Sequence, residues 1–230
     1  MPIYLDNAAT TKLDPRVLKV MLPYLSDNYG NASSIHSWGQ KNNLALEQAR
    51  REIAKILGGE GAGFIFTSGA SESNNFILRG IMRANQSKGR HLLVSAIEHP
   101  SVYQTARSLQ KEGYEVDFIP VKNDGQIDLV ALKKLLRKDT VLVSVMAINN
   151  EIGSVQDLKA IAKLVHAAGA YFHSDIVQVI PYLKIDLEKM GIDLASLSSH
   201  KFYVKKGVGL YYILKWLKIE ALISGGEQEY

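Results

Sequence analysis

The sequence predicts an α/β protein with three layers, α/β/α, built on a mostly parallel mixed sheet of about seven strands. Three observations carry that expectation. Segments with helical apolar spacing alternate along the chain with short apolar runs of strand length. No internal repeat, low-complexity tract or Pro/Ser/Gly-rich linker divides the chain. The 230 residues are 47% apolar and 22% charged, an ordinary globular composition, and a chain of this size hides roughly 70–75% of its unfolded surface.

Taken in order, Asp14-Pro15 opens the first helix, because proline is preformed for a first helical turn and aspartate caps it. From 40 to 57, Leu44, Ala45, Ala49, Ile53, Ile56 and Leu57 recur at helical spacing, and Gly58-Gly59 stops the run. Strands are expected at 63–66, 91–95, 115–119, 141–146, 171–174, 194–198 and 209–213. Helices over 71–85, 101–112, 129–136 and 158–168 fill most of the gaps. Ser101 with Gln104, and Asp157 ahead of Ala160, read as N-caps. Between the last strands only short connections fit.

Composition excludes several function classes. With no cysteine, the chain supplies no disulfide, thiolate-ligated metal or cysteine nucleophile. The start, Met1-Pro2-Ile3-Tyr4-Leu5-Asp6, meets a carboxylate before any long apolar run and does not read as a secretory signal. The most apolar run, 141–148, is far below the ~20 residues of a membrane span. A cytoplasmic location is therefore expected, with no membrane partner. The net charge of +4 comes from basic residues interleaved with acidic ones, so no nucleic-acid partner is expected either.

Several segments could carry chemistry. Phe66-Thr67-Ser68-Gly69-Ala70-Ser71-Glu72-Ser73 follows a strand and opens a helix, where free N–H groups and small residues can receive a phosphate. A Ser71 N-cap alone explains it as well. Asp175 and Lys201 each follow a strand, and ligands in open α/β sheets lie beyond the carboxyl ends of strands. Lys201 is thus a candidate Schiff-base former, or a solvated surface lysine. His99 reads as a catalytic or a capping histidine, and Asn149-Asn150-Glu151-Ile152-Gly153 as a site loop or a turn. Six histidines, at 36, 91, 99, 166, 173 and 200, show no helical ligand spacing, so no metal is expected.

Read together, the pieces are specific. The order Asp-Asn-Ala-Ala-Thr-Thr (6–11), Thr-Ser-Gly-Ala-Ser-Glu-Ser-Asn (67–74), Glu98-His99, Asn149-Asn150-Glu151-Ile152-Gly153, Asp175 with Gln178, and Ser199-His200-Lys201 resembles the cysteine desulfurases of the iron-sulfur-cluster type. These are fold-type I pyridoxal-phosphate enzymes of the class V aminotransferase group. The resemblance spans essentially the whole chain.

It implies pyridoxal 5'-phosphate as cofactor, with Lys201 holding it covalently and Asp175 pairing with its ring nitrogen. His99 would stack on one ring face and move protons, and Val177 would cover the other. Gln178 would reach the phenolic oxygen, with Asn150 beside it and beside the substrate carboxylate. Ala70, Ser71, Ser198 and His200 would hold the phosphate. The implied substrate is L-cysteine, released as L-alanine, with an iron-sulfur scaffold protein or other sulfur acceptor as partner and a homodimer as the assembly. Residues 1–14 would belong to the small-domain and active-site layer, and 15–230 to the cofactor-binding large domain, with the small domain absent.

Four departures accompany the resemblance. The family's loop cysteine, which accepts the sulfur, has no counterpart here, and relatives continue beyond Ser224-Gly225-Gly226-Glu227-Gln228-Glu229-Tyr230. Val204-Lys205 stands where relatives carry Gly-Pro, and Ile176 where they often carry alanine. The expected chain is accordingly a truncated or split desulfurase. A related class V aminotransferase or lyase, and a non-catalytic cofactor-binding fragment, are the alternatives. Loss of a covering segment is also expected to expose Ile213, Trp216, Leu217 and Ile219.

Overall fold

The structure, a computed structural model, describes residues 2–225. Its helices are α1 (Pro15–Leu25), α2 (Ser37–Leu57), α3 (Ala70–Ala84), α4 (Pro100–Lys111), α5 (Leu129–Leu135), α6 (Leu158–Ala167) and α7 (Leu187–Met190). The strands are β1 (Phe64–Thr67), β2 (His91–Ser95), β3 (Glu115–Ile119), β4 (Thr140–Ser144), β5 (Tyr171–Asp175), β6 (Leu194–Ser198) and β7 (Gly209–Ile213). They form one seven-stranded sheet in the order β1-β7-β6-β5-β4-β2-β3.

Connections decide strand direction. The pairs β2–β3, β2–β4, β4–β5 and β5–β6 are parallel, and a helix lies on the chain between each of those partners. The stretch between β6 and β7 has room for only a single 3₁₀ turn, so β7 returns antiparallel to β6 and pairs antiparallel with β1.

The central strands are buried on both faces, and successive residues feed opposite cores. Ile65, Leu92, Val94, Leu142 and Tyr211 pack with Ile77, Leu78 and Ile81 of α3 and Val102, Ala106 and Leu109 of α4. Their neighbours Phe64, Leu93, Val143 and Tyr212 pack on the other face with Leu57, Leu132, Ile161, Val165 and Leu187 of α2, α5, α6 and α7. Two cores on one sheet make the three layers expected from sequence.

The structure corrects several details. The expected strand over 141–146 is displaced to Thr140–Ser144: Val145 and Ala147 still donate to His173 and Asp175 of β5, but the Met146 N–H turns to the Glu98 carboxylate, 2.5 Å away. Ser101 is not the cap of α4. Pro100 takes the first helical position and the His99 ring caps, its Nδ1 accepting from the Ser101 N–H at 3.1 Å. Ser71 does not cap α3 either, since Gly69 occupies that position with no side-chain cap. Asp14 and Asp157 do cap α1 and α6. The four-residue α7 was too short to show a period.

The expected apolar exposure also moves. Ile213 and Leu217 are buried, and of that group Trp216 is the exposed one. Large apolar side chains are exposed instead toward the N-terminal part, at Ile3, Leu5, Val20, Leu25 and Ile35. Residues 226–230, part of the terminal segment noted above, lie outside the described residues.

Candidate active site

The carboxyl ends of the strands converge on one cleft of about 570 Å³. Each wall comes from a different strand end, as an open α/β sheet dictates. The turn from β1 into α3 brings Ser68, Gly69, Ala70 and Ser71, and the loop from β2 into α4 brings His99. Asn150 arrives after β4, Asp175, Val177 and Gln178 at and after β5, and Ser198, His200 and Lys201 at the end of β6. All the residues singled out from sequence therefore line the same cleft. Ala9, Thr10, Met146, Lys206 and Gly207 line it too.

Asp175 is 5% exposed. Its Oδ1 accepts from the Val177 N–H at 3.0 Å and its Oδ2 from the Asn74 amide at 2.9 Å. Burial pushes its carboxyl above the usual value, against those two bonds and the charges of His99 and Lys201. Burial likewise holds Lys201 below an ordinary lysine, opposed by Asp6, Asp175 and Glu151. Both shifts run away from the charged form, which is the signature of groups held in a cleft without a contact ion pair.

Residues 6–11 form the remaining wall. Lys201 Nζ donates to the carbonyls of Ala8 and Ala9 at 2.5 and 2.7 Å, and Gln178 Nε2 donates to Ala8 at 3.1 Å. Thr11 N–H donates to the His200 carbonyl at 2.9 Å, and the Tyr203 N–H to Thr11 Oγ1 at 2.6 Å. Tyr203 has φ 67°, the single non-glycine residue with positive φ among those described. The strain after Lys201 thus falls on Tyr203 and not on Val204, where glycine was the expected requirement.

The α3 entrance fits a phosphate group. Gly69 leaves the first turn without a side-chain cap, and a Cβ there would meet only Ser198 Oγ, at 3.7 Å. Gly209 allows this turn to lie against β7, because a Cβ at 209 would stand 2.5 Å from Gly69 Cα. A buried carboxylate, a helix start without a side-chain cap and a lysine lining the same cleft match the donor set that pyridoxal phosphate requires.

Sequence reasoning missed Asn74, which is fully buried in α3 and bonded to Asp175. Its signal was available. Asn74 precedes Ile77 and Leu78 by three and four residues, so it shares their buried face.

A sheet with its ligand cleft at the strand ends, a lysine after one strand and an aspartate at the end of its neighbour define a cofactor-dependent α/β enzyme class. The chain belongs to the aminotransferase class-V family, whose model matches residues 3–229. It is 44% identical over 227 residues to the cysteine desulfurase IscS of Dictyoglomus turgidum, covering 99% of this chain and 58% of that protein. It is 47% identical over 232 residues to the IscS of Rickettsia bellii, covering 57% of that protein. A solved structure described as a NifS-like protein superposes with a TM-score of 0.96 at 40% identity, covering 98% of this chain and 62% of that one. Another, described as SspA in complex with cysteine, gives 0.94 at 36%, covering 98% and 65%. The chain spans little more than half the length of these curated relatives.

Proposed function

We propose that the chain is the cofactor-binding part of a cysteine desulfurase that uses pyridoxal phosphate, releasing L-alanine from L-cysteine and passing the sulfur to an iron-sulfur scaffold or other acceptor. The observation that carries this reading is the convergence of Asp175, His99 and Lys201 on one cleft with the uncapped start of α3. Residues 1–14 act as part of the small-domain and active-site layer and 15–230 as the large domain. The working form is a homodimer in the cytoplasm.

In this reading Lys201 holds the cofactor covalently, Asp175 faces its ring nitrogen, and His99 and Val177 flank the ring. Gln178 and Asn150 serve its phenolic oxygen, and Ala70, Ser71, Ser198 and His200 its phosphate. Bound there, the group supplies an electron sink that acidifies the α-carbon of an amino acid. The chain's own residues do the rest. Burial favours the neutral, nucleophilic form of the Lys201 amine. Asp175 in its ionised form stabilises positive charge on a ring nitrogen. Sulfur acceptance requires a thiolate, and the 230 residues contain no cysteine, so that group comes from outside them.

Borohydride reduction of the loaded chain followed by peptide mapping places the label on Lys201 if the reading holds. Label that persists in Lys201→Ala overturns it. Alanine formation from cysteine, measured for the chain alone and with a segment supplying the cysteine loop of a relative, distinguishes a desulfurase from a class V lyase or aminotransferase, which yields other products. The expectation is turnover only in the mixture.

A further inference from the structure

Behind the cleft runs a hydrogen-bond network centred on the buried Asn74, which reaches from the buried His173 to the exposed His99. Asn74 Nδ2 donates to Asp175 Oδ2 and to Ser101 Oγ, both at 2.9 Å. Ser101 Oγ lies 2.7 Å from His99 Nδ1, which also receives the Ser101 N–H at 3.1 Å. On the other side Asn74 Oδ1 accepts from Ser196 Oγ at 2.5 Å, and Ser196 Oγ is 3.2 Å from His173 Nε2.

We propose that Asn74 is a positioning residue that, through Ser101, holds the neutral His99 ring in the tautomer with its hydrogen on Nε2. The inference rests on the reading of the cleft given above and concerns how that site is prepared.

Counting hydrogens fixes every direction. An amide nitrogen has two hydrogens, and Asn74 gives one to Asp175 and one to Ser101. The reverse orientation of the amide would set its oxygen against the Asp175 carboxylate, two acceptors with no hydrogen between them. The Ser101 backbone N–H, which donates to His99 Nδ1, makes that atom an acceptor, so Ser101 Oγ, itself accepting from Asn74, turns its own hydrogen to it. The lone pair of Nδ1 is thus shared by the two donors, and Nδ1 carries no hydrogen of its own while the ring is neutral. The hydrogen sits on Nε2, and His99 enters the cleft as a donor. To accept a proton at that atom, the ring must first give one up.

The same count closes the far side. Ser196 spends its hydrogen on Asn74, so His173 Nε2 is the donor to it, and His173 Nδ1 accepts from Ser144 Oγ at 2.8 Å. Burial pushes His173 down to about 3, so it stays neutral in the network at neutral pH.

The test is a long-range proton–nitrogen NMR correlation on the full chain labelled with ¹⁵N-histidine, at a pH above ~8 where imidazole is neutral. His99→Asn assigns the His99 signals. The expected result is an unprotonated Nδ1 and a protonated Nε2 in the wild-type chain. Ser101→Ala and Asn74→Leu are expected to lose that purity, showing a tenth or more of the other tautomer, whereas Ser101→Thr keeps it. A wild-type His99 with its hydrogen on Nδ1 overturns the proposal without recourse to any variant. So does an unchanged tautomer in both Asn74→Leu and Ser101→Ala. Borohydride trapping on Lys201, run in parallel, separates the two readings. Trapping with the wrong tautomer sinks this proposal alone, and the right tautomer without trapping sinks the cofactor reading alone.

Discussion

The two ends of the parallel strands carry similar residues to opposite effect. At the amino end, Arg137 pairs with Glu115 and Asp139, each at 2.6 Å, and His91 is held between Thr140 Oγ1 at 2.8 Å and Asp117 at 3.2 Å. Partner contacts dominate there, holding Asp139 below and Arg137 above their usual values. Only His91 is pushed down, chiefly by burial. At the carboxyl end desolvation dominates, raising Asp175 and Glu98 and lowering Lys201. Glu98 Oε2 is buried with no hydrogen-bond partner among the described residues. Opposite charges brought into contact neutralise each other and stabilise the frame. Charges held apart around a cleft retain the capacity to act on something else.

The sharpest break between the ends is expected from Lys201→Ala against Arg137→Ala. The first abolishes reducible cofactor incorporation and the second leaves it intact, as read by borohydride labelling. Loss in both would erase the distinction. Next, Asp175→Asn keeps cofactor binding, because phosphate contacts lie elsewhere, while slowing α-proton exchange of an added amino acid by ~10²–10³-fold. Equal loss of binding and exchange would make Asp175 a structural residue like Asp139.

The third prediction concerns His173, which lies in the middle of the sheet. Its folded-state value of about 3 is depressed by burial, so the unfolded chain binds the extra proton between about 3 and ~6.5 and stability rises with pH across that window. Acidification from neutral to pH ~4 should cost on the order of 3 kcal/mol in urea unfolding. His173→Gln should flatten that dependence, and an unchanged slope would contradict the assignment. The smallest effect is on stability from Arg137→Ala. Its partners are exposed by 44% and 63% in their side chains, and partly exposed pairs contribute less than ~1 kcal/mol. A larger loss would mean that the amino end does more than close the frame.

Much of this was legible in the sequence, for identifiable reasons. β2, β3, β6 and β7 are bounded as their sequence runs indicate, because β2, β6 and β7 are buried strands that admit few polar residues, while β3 at the sheet edge alternates exposed and buried positions. The residues of the cleft were visible because strand ends and helix starts punctuate an α/β chain. What remained hidden depends on tertiary partners. A capping His99 was one of two readings open in the sequence, and Pro100 at the first helical position of α4 is what makes it the cap instead of Ser101. Asn74 looks polar, and its value comes from Asp175, 101 residues away in sequence. The exposure of the α1 face that carries Leu18, Leu22 and Leu25 is invisible to periodicity, which assumes that an amphipathic helix finds its core within the chain.

The lysine contact to Ala8 and Ala9 has a consequence in time. Those partners are 193 and 192 residues apart, so on a ribosome adding ~5–20 residues per second the first wall of the cleft waits roughly 10–40 s for the last. Throughout that interval the sheet has no closing contact from its own N-terminal segment, and closing so long a loop carries an entropy cost that only late, mutually supporting bonds can offset. The turn at 6–11 therefore meets Lys201 only after some nine-tenths of the cleft's residues have been made, and that wall of the cleft is closed by the oldest part of the chain.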